Sequence, residues 1–156
     1  MTAENLLPVP ELYTPFDNAE ALKMEAAELV SWDLTQRQTC DLELLMNGGF
    51  YPLTGFLGKD DYEGVVENMR LADGTLWPMP ITLDVPAKFA ENLKDGQKIA
   101  LRDAEGVILA TLDLADIYTP NKANEAEKVF GADDDAHPAV NYLHNTAGDV
   151  YLGGKI

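Results

Sequence analysis

The chain predicts an α+β domain, and three observations carry that prediction. Apolar residues recur at helical spacing near the N-terminus and again after residue 120, whereas they alternate at strand spacing through the middle. Asp-Gly and Glu-Gly pairs punctuate the middle runs, as turns between strands do. At 156 residues, with 46% hydrophobic and 24% charged side chains, the chain has the size and composition of one ordinary globular domain. Helices gathered early and late around a run of strands belong to the α+β class.

From the N-terminus, Leu6 to Pro15 reads as extended chain, because Pro8, Pro10 and Pro15 forbid a continuous helix. Asn18 is placed to cap a helix in which Leu22, Ala26 and Leu29 recur at i, i+4 and i+7. Residues 1–30 are therefore expected as an extension whose helix packs on a domain of residues 31–156. Ser31 and Trp32 lead into the most informative stretch, Leu34 to Leu57. There Thr35 and Gln38 stand at capping-box spacing, which starts a helix near Gln36. Cys40, Leu42, Leu44, Leu45 and Met46 form its apolar stripe, with Asp41 and Glu43 on the wetter side, and Asn47, Gly48 and Gly49 end it. The loop from Phe50 to Gly58 interleaves large apolar residues with Pro52, Gly55 and Gly58, and is too apolar for a solvated tip. Phe50 and Phe56 are expected in the core, with Tyr51, Leu53 and Thr54 more open. Arg37, Asn47 and Arg70 are the polar residues expected to be fixed by buried partners.

Tyr62, Val65, Val66 and Met69 share one face of the next helix, and Asp73-Gly74 turns the chain. Ile81, Leu83 and Val85 then alternate with Thr82 and Asp84, while Pro78 and Pro80 confine the start of this strand to a sheet edge or bulge. A short helix with Phe89 and Leu93 follows Pro86. Asp95-Gly96 opens a strand with Ile99 and Leu101, and Glu105-Gly106 closes a hairpin to a strand from Val107 to Leu112 that extends to Tyr118. Helix resumes from Lys122 to Phe130, stopped by Gly131, and again at Pro138, a residue suited to a first helical position. Thr146 to Asp149 turns into a last strand, Val150 to Leu152.

Several blocks, in order, resemble the N-terminal domain of ATP sulfurylase (sulfate adenylyltransferase). They are Leu34–Leu57, Arg70–Asp84, Tyr118–Lys122 with Glu125–Phe130, His137–Val140 and Gly148–Gly154, so the likeness runs from about Ser31 to the end. The resemblance implies a PUA-like small β-barrel with flanking helices. It also implies an enzyme that makes adenosine 5'-phosphosulfate and pyrophosphate from Mg-ATP and sulfate, by attack of a sulfate oxygen on the α-phosphorus. In that family the catalytic domain carries a Gln-x-Arg-Asn motif and two histidines three residues apart. Here Gln36-Arg37 lacks the asparagine, and His137 and His144 stand seven apart. No catalytic, substrate-binding or metal-ligating residue is therefore assigned within the chain, and no cofactor.

The last residues, Gly153-Gly154-Lys155-Ile156, resemble the lead-in to that catalytic domain, so the expectation is a piece of a longer enzyme, inactive alone, that scaffolds the C-terminal catalytic domain. Tyr51, Leu53, Thr54 and Phe56 are the candidate interdomain contacts, on the framework of Thr35, Arg37, Gln38, Asn47, Gly48, Gly49, Phe50, Pro52 and Gly55. The parent is expected to be a homo-oligomer, with or without a fused adenylylsulfate kinase domain.

Charge separates this reading from a stand-alone PUA-like module that binds nucleic acid or protein. A formal charge of -16, from 27 acidic against 11 basic side chains, gives a field that repels phosphates rather than the basic footprint a polyanion binder needs. Other chemistry fails on residue count: Ser31 has no Gly-x-Ser-x-Gly context, Gly58-Lys59 lacks the rest of a phosphate-binding loop, and one cysteine with two histidines is a poor zinc set. Asp133-Asp134-Asp135 lacks calcium-loop spacing and reads as a solvated loop; His137 reads as a cap. Cys40 reads as a buried structural thiol. No apolar run approaches the ~20 residues that span a bilayer, and Met1–Asn5 lack the basic and apolar regions of a secretory signal, so a cytoplasmic protein without membrane contact is expected.

Overall fold

The computed structural model describes residues 9–156. Of the proline-punctuated arm, Leu6 to Pro8 lie outside the described residues, and the remainder to Pro15 has no regular secondary structure. Helix α1 (Phe16–Ala27) begins at Pro15 rather than at Asn18. The Pro15 carbonyl accepts from the Asn18 N–H at 2.9 Å, so Asn18 lies in the first turn, where the expected cap is corrected.

Strand β1 (Ser31–Asp33) follows, then α2 (Gln36–Met46), β2 (Gly55–Phe56), α3 (Lys59–Asn68), β3 (Leu83–Val85) and α4 (Ala87–Ala90). Strands β4 (Lys98–Arg102) and β5 (Ile108–Tyr118) form the hairpin, and α5 (Lys122–Glu125) runs directly into a π-helical turn, Ala126–Phe130. Helix α6 (Pro138–Asn145) and β6 (Val150–Lys155) complete the chain.

The strands make one sheet in the order β1-β4-β5-β6-β2. β1 pairs parallel to β4, and the remaining pairs are antiparallel. β2 and β3 share the second edge of β6 end to end: Phe56 lies opposite Gly154, and Leu83 opposite Leu152. The expected small barrel is corrected at this point. Among the described residues the sheet has ends at β1 and β2 and does not close. Gly55 is required at its place in β2, because a Cβ there would overlap the Gly154 carbonyl.

Leu42 and Leu45 of α2, Leu83 and Val85 of β3, Ile99 and Leu101 of β4, Leu112 of β5 and Leu152 of β6 are fully buried in one core. A smaller cluster joins Ala126, Val140 and Leu143 beneath Phe130. Cys40 is exposed, which overturns its reading as a buried thiol. The buried face of α2 is Gln38, Leu42 and Leu45, at i, i+4 and i+7; Leu42 and Leu45 belong to the expected stripe, whereas polar Gln38 takes the place expected of Cys40 and Leu44. Met69 is likewise corrected: it caps α3 in the left-handed region at φ 53° and its side chain is half exposed. Thr82 and Asp84 are as buried as their apolar neighbours, since β3 is covered on both faces.

Candidate functional site

The capping box of α2 is complete. The Thr35 hydroxyl accepts from the Gln38 N–H at 3.3 Å, and the Gln38 side chain accepts from the Thr35 N–H at 3.0 Å. At the other end Asn47 is the C-cap and Gly48 takes the left-handed φ of 79° that turns the chain into the loop. Asn47 Oδ1 accepts from the Gly49 N–H at 2.8 Å in an exposed turn, and the Arg70 side chain donates to the neighbouring Met69 carbonyl, so among the described residues neither side chain is held by a buried partner.

Arg37 is held. Its Nη1 donates to Asp41 at 2.6 Å, its Nη2 to the Thr82 carbonyl at 3.2 Å and to Asp84 at 2.5 Å, and its Nε to the Tyr142 hydroxyl at 3.2 Å. Burial disfavours the cation, but Tyr142, Asp84 and Asp41 outweigh that cost and hold Arg37 above its ordinary pKa. Gln38 Nε2 donates to the same Asp84 carboxylate at 3.0 Å and to the Asp84 carbonyl at 2.7 Å, and the Gly148 N–H donates to Asp84 Oδ2 at 2.7 Å. One buried carboxylate thus ties α2 and β3 to the turn before β6.

A second buried carboxylate, Glu125, belongs to α5. Glu125 Oε2 accepts from the Tyr62 hydroxyl at 2.7 Å and the Tyr151 hydroxyl at 3.1 Å, and Tyr118 donates to the Leu57 carbonyl at 2.9 Å. The three rings pack with centroids 5.5–5.8 Å apart. Burial pushes Glu125 above the ordinary carboxylate range against the pull of its two tyrosines, and burial with the Glu125 charge pushes all three phenols well above theirs. Asp84, Glu125 and the tyrosine trio were not singled out from sequence. The signals the sequence offers are positional: Asp84 inside an apolar strand and Tyr62 on the apolar face of its helix, with none for Glu125.

The loop candidates divide. Leu53 and Phe56 are core residues, 8% and 3% exposed, which corrects the expectation that Leu53 is open. Tyr51 is 57% exposed and Thr54 is exposed. Pro52 follows a cis peptide bond from Tyr51. Phe50 meets Trp77 edge-on at 5.8 Å, and exposed apolar residues lie near these two along the chain or across backbone hydrogen bonds. The Phe50 N–H donates to the Leu44 carbonyl, the Trp77 N–H to the Met69 carbonyl, and Leu44, Tyr51, Met69, Leu76 and Met79 are all exposed. The Trp77 indole N–H is buried with no acceptor among the described residues. β6 emerges beside this loop, where the Ile156 N–H donates to the Thr54 carbonyl at 3.0 Å.

His137 caps α6, its Nδ1 accepting from the Ala139 N–H at 3.3 Å, and His144 lies 3.3–3.4 Å from Asp133 and Asp135. Among the described residues no group of three or more His, Cys, Asp or Glu is arranged to hold a metal ion, and no helix is long and apolar enough to cross a membrane.

Comparison with known proteins agrees with this architecture. A PUA-like domain model matches residues 5–156. The chain is 53% identical over 140 residues to the sulfate adenylyltransferase of Eremothecium gossypii, covering 90% of this chain and 28% of that protein. It is 52% identical over 132 residues to the Saccharomyces cerevisiae enzyme (85% and 26%) and 54% identical over 138 residues to that of Gibberella zeae (86% and 24%). The homology is to their N-terminal regions, so the chain spans about a quarter of these curated relatives. A solved structure, described as a hexameric APS kinase from Thiobacillus denitrificans, superposes with a TM-score of 0.67 at 41% identity, over 72% of this chain and 23% of that one.

Proposed function

The chain belongs to the PUA-like domain family, and from that footing we propose that it is the N-terminal scaffolding domain of a sulfate adenylyltransferase. The parent protein joins ATP, as its magnesium complex, to sulfate, giving adenosine 5'-phosphosulfate and pyrophosphate, with the chemistry in a C-terminal catalytic domain. This chain contributes a rigid face to that domain. Tyr51 and Thr54 make the contact, set in place by Leu53 and Phe56 behind them, and the exposed apolar residues around the Phe50–Trp77 pair extend it.

The observation that carries this reading is the juxtaposition of chain path and surface. Ile156, after the last strand, is hydrogen-bonded to the exposed Thr54, so chain that follows this region in the relatives would start beside the loop that carries Thr54 and Tyr51. An apolar surface next to a chain connection is where a following domain buries it. Residues 1–30 act as an extension whose helix α1 packs on β4 and β5. The parent is read as a cytoplasmic homo-oligomer, with or without a fused adenylylsulfate kinase domain. The description of the structural neighbour as hexameric supports the oligomer.

An assay of the 156-residue chain for sulfate-dependent ATP–pyrophosphate exchange tests the division of labour. The expected rate is background; turnover above it places an active site here and overturns the scaffold reading. An RNA-binding reading is not favoured, because the acidic surface opposes it.

A further inference from the structure

A cleft of about 410 Å³ opens between the 79–82 segment, the π-helical turn and α6. Its walls are apolar and aromatic: Ile81, Phe130, Tyr142 and Leu143. Its charged side chains, Arg37, Asp41, Asp84 and Glu125, are not equally engaged.

Arg37 is already committed to two carboxylates, a carbonyl and a hydroxyl. Lys122, the other cation nearby, donates to the Ala147 carbonyl at 2.8 Å and lies 3.7 Å from Asp149. Glu125 is different. It is 6% exposed and lines the cleft, both tyrosines donate to its Oε2, and no described residue donates to Oε1. Asp41 and Asp84 add carboxylates to the same wall. A π-helical turn begins at the residue after Glu125, an irregularity found often at ligand sites. Apolar walls around a deeply seated acid whose Oε1 has no donor among the described residues suit a ligand that is flat and apolar at one end and cationic at the other. The net charge of -16 draws such a ligand to the surface.

We propose that this cleft is a binding site for a small organic cation, a primary ammonium on a flat apolar body. The ammonium donates to Glu125 Oε1 and the body packs between Phe130 and Tyr142. The site does not depend on the catalytic assignment of the parent protein, so it stands or falls separately from the scaffold reading.

Benzylammonium chloride is the probe, titrated into the isotope-labelled chain and followed by NMR, with benzyl alcohol as its uncharged counterpart. Saturable shifts at Phe130, Tyr142 and Leu143 are expected with benzylammonium, with benzyl alcohol at least tenfold weaker. Glu125→Gln, which keeps the shape and the tyrosine acceptor, weakens benzylammonium at least tenfold. Ala139→Leu fills the cleft while leaving Glu125 and its tyrosines in place, and also abolishes binding; this variant decides the matter if Glu125→Gln does not fold. No saturable shift, equal affinity for the alcohol, or unchanged binding by the Ala139→Leu chain overturns the proposal.

Discussion

Arg37 and Asp84, far apart in sequence, meet in a 2.5 Å ion pair that is also the junction of α2, β3 and the turn before β6. The Asp84 side chain is only 7% exposed, and besides Arg37 it accepts from Gln38 and from the Gly148 N–H. Removing one member of such a network strands the others without partners. Asp84→Ala is expected to cost about 3 kcal/mol, because Arg37 keeps its burial and loses its nearest counter-charge. Asp84→Asn, which keeps an acceptor, costs visibly less. Urea midpoints of the three proteins check both the size and the order; equal midpoints for wild type and Asp84→Ala contradict the network.

The capping box makes a smaller, local prediction. Thr35→Ala removes the acceptor for the Gln38 N–H and is expected to cost about 1 kcal/mol. Thr35→Ser restores most of it. The same denaturation series resolves the difference.

These two sites also show what the sequence made legible. Thr35 and Gln38 are neighbours along the chain, so their spacing alone predicts the cap, as Asp95-Gly96, Glu105-Gly106 and Gly131 predict their turns and helix stop. The helix through Phe130 and the long β5 strand were legible for the same local reason. Asp84 and Glu125 were not. A buried carboxylate looks like a surface one until the chain brings Arg37 or two tyrosines to it from distant segments. Cys40 was misplaced because the buried stripe of α2 runs through Gln38, whose partners Asp84 and Trp32 exist only in the folded chain.

Cys40 is therefore expected to react with a thiol reagent in the native protein at a rate near that of the urea-unfolded chain. Protection by more than about a hundredfold, the mark of a buried thiol, contradicts the exposed position.

Glu125 predicts a pH dependence with a definite sign. Its folded pKa is raised by burial, so the neutral carboxyl stabilises the fold fully below the ordinary carboxylate range, and that contribution is lost as pH rises through the raised folded value. Glu125→Gln mimics the neutral form and does not titrate. Its stability relative to wild type is expected to improve as pH rises from 4 towards neutrality, read as the gap between urea midpoints. A gap that stays constant, or moves the other way, contradicts the sign.

The scaffold reading meets its most direct test in a chimera. This chain replaces the matching region of the Saccharomyces cerevisiae sulfate adenylyltransferase, with which it shares 52% identity over 132 residues. Sulfate-dependent ATP–pyrophosphate exchange is then measured for the chimera, for its Tyr51→Asp/Thr54→Asp variant, and for a control Val107→Asp variant at an exposed apolar residue before β5. Exchange within tenfold of the yeast enzyme is expected for the chimera and the control, with a loss of at least tenfold in the Tyr51/Thr54 variant. A Tyr51→Asp/Thr54→Asp chimera that runs at the full rate of its parent would show that the loop does not meet the catalytic domain.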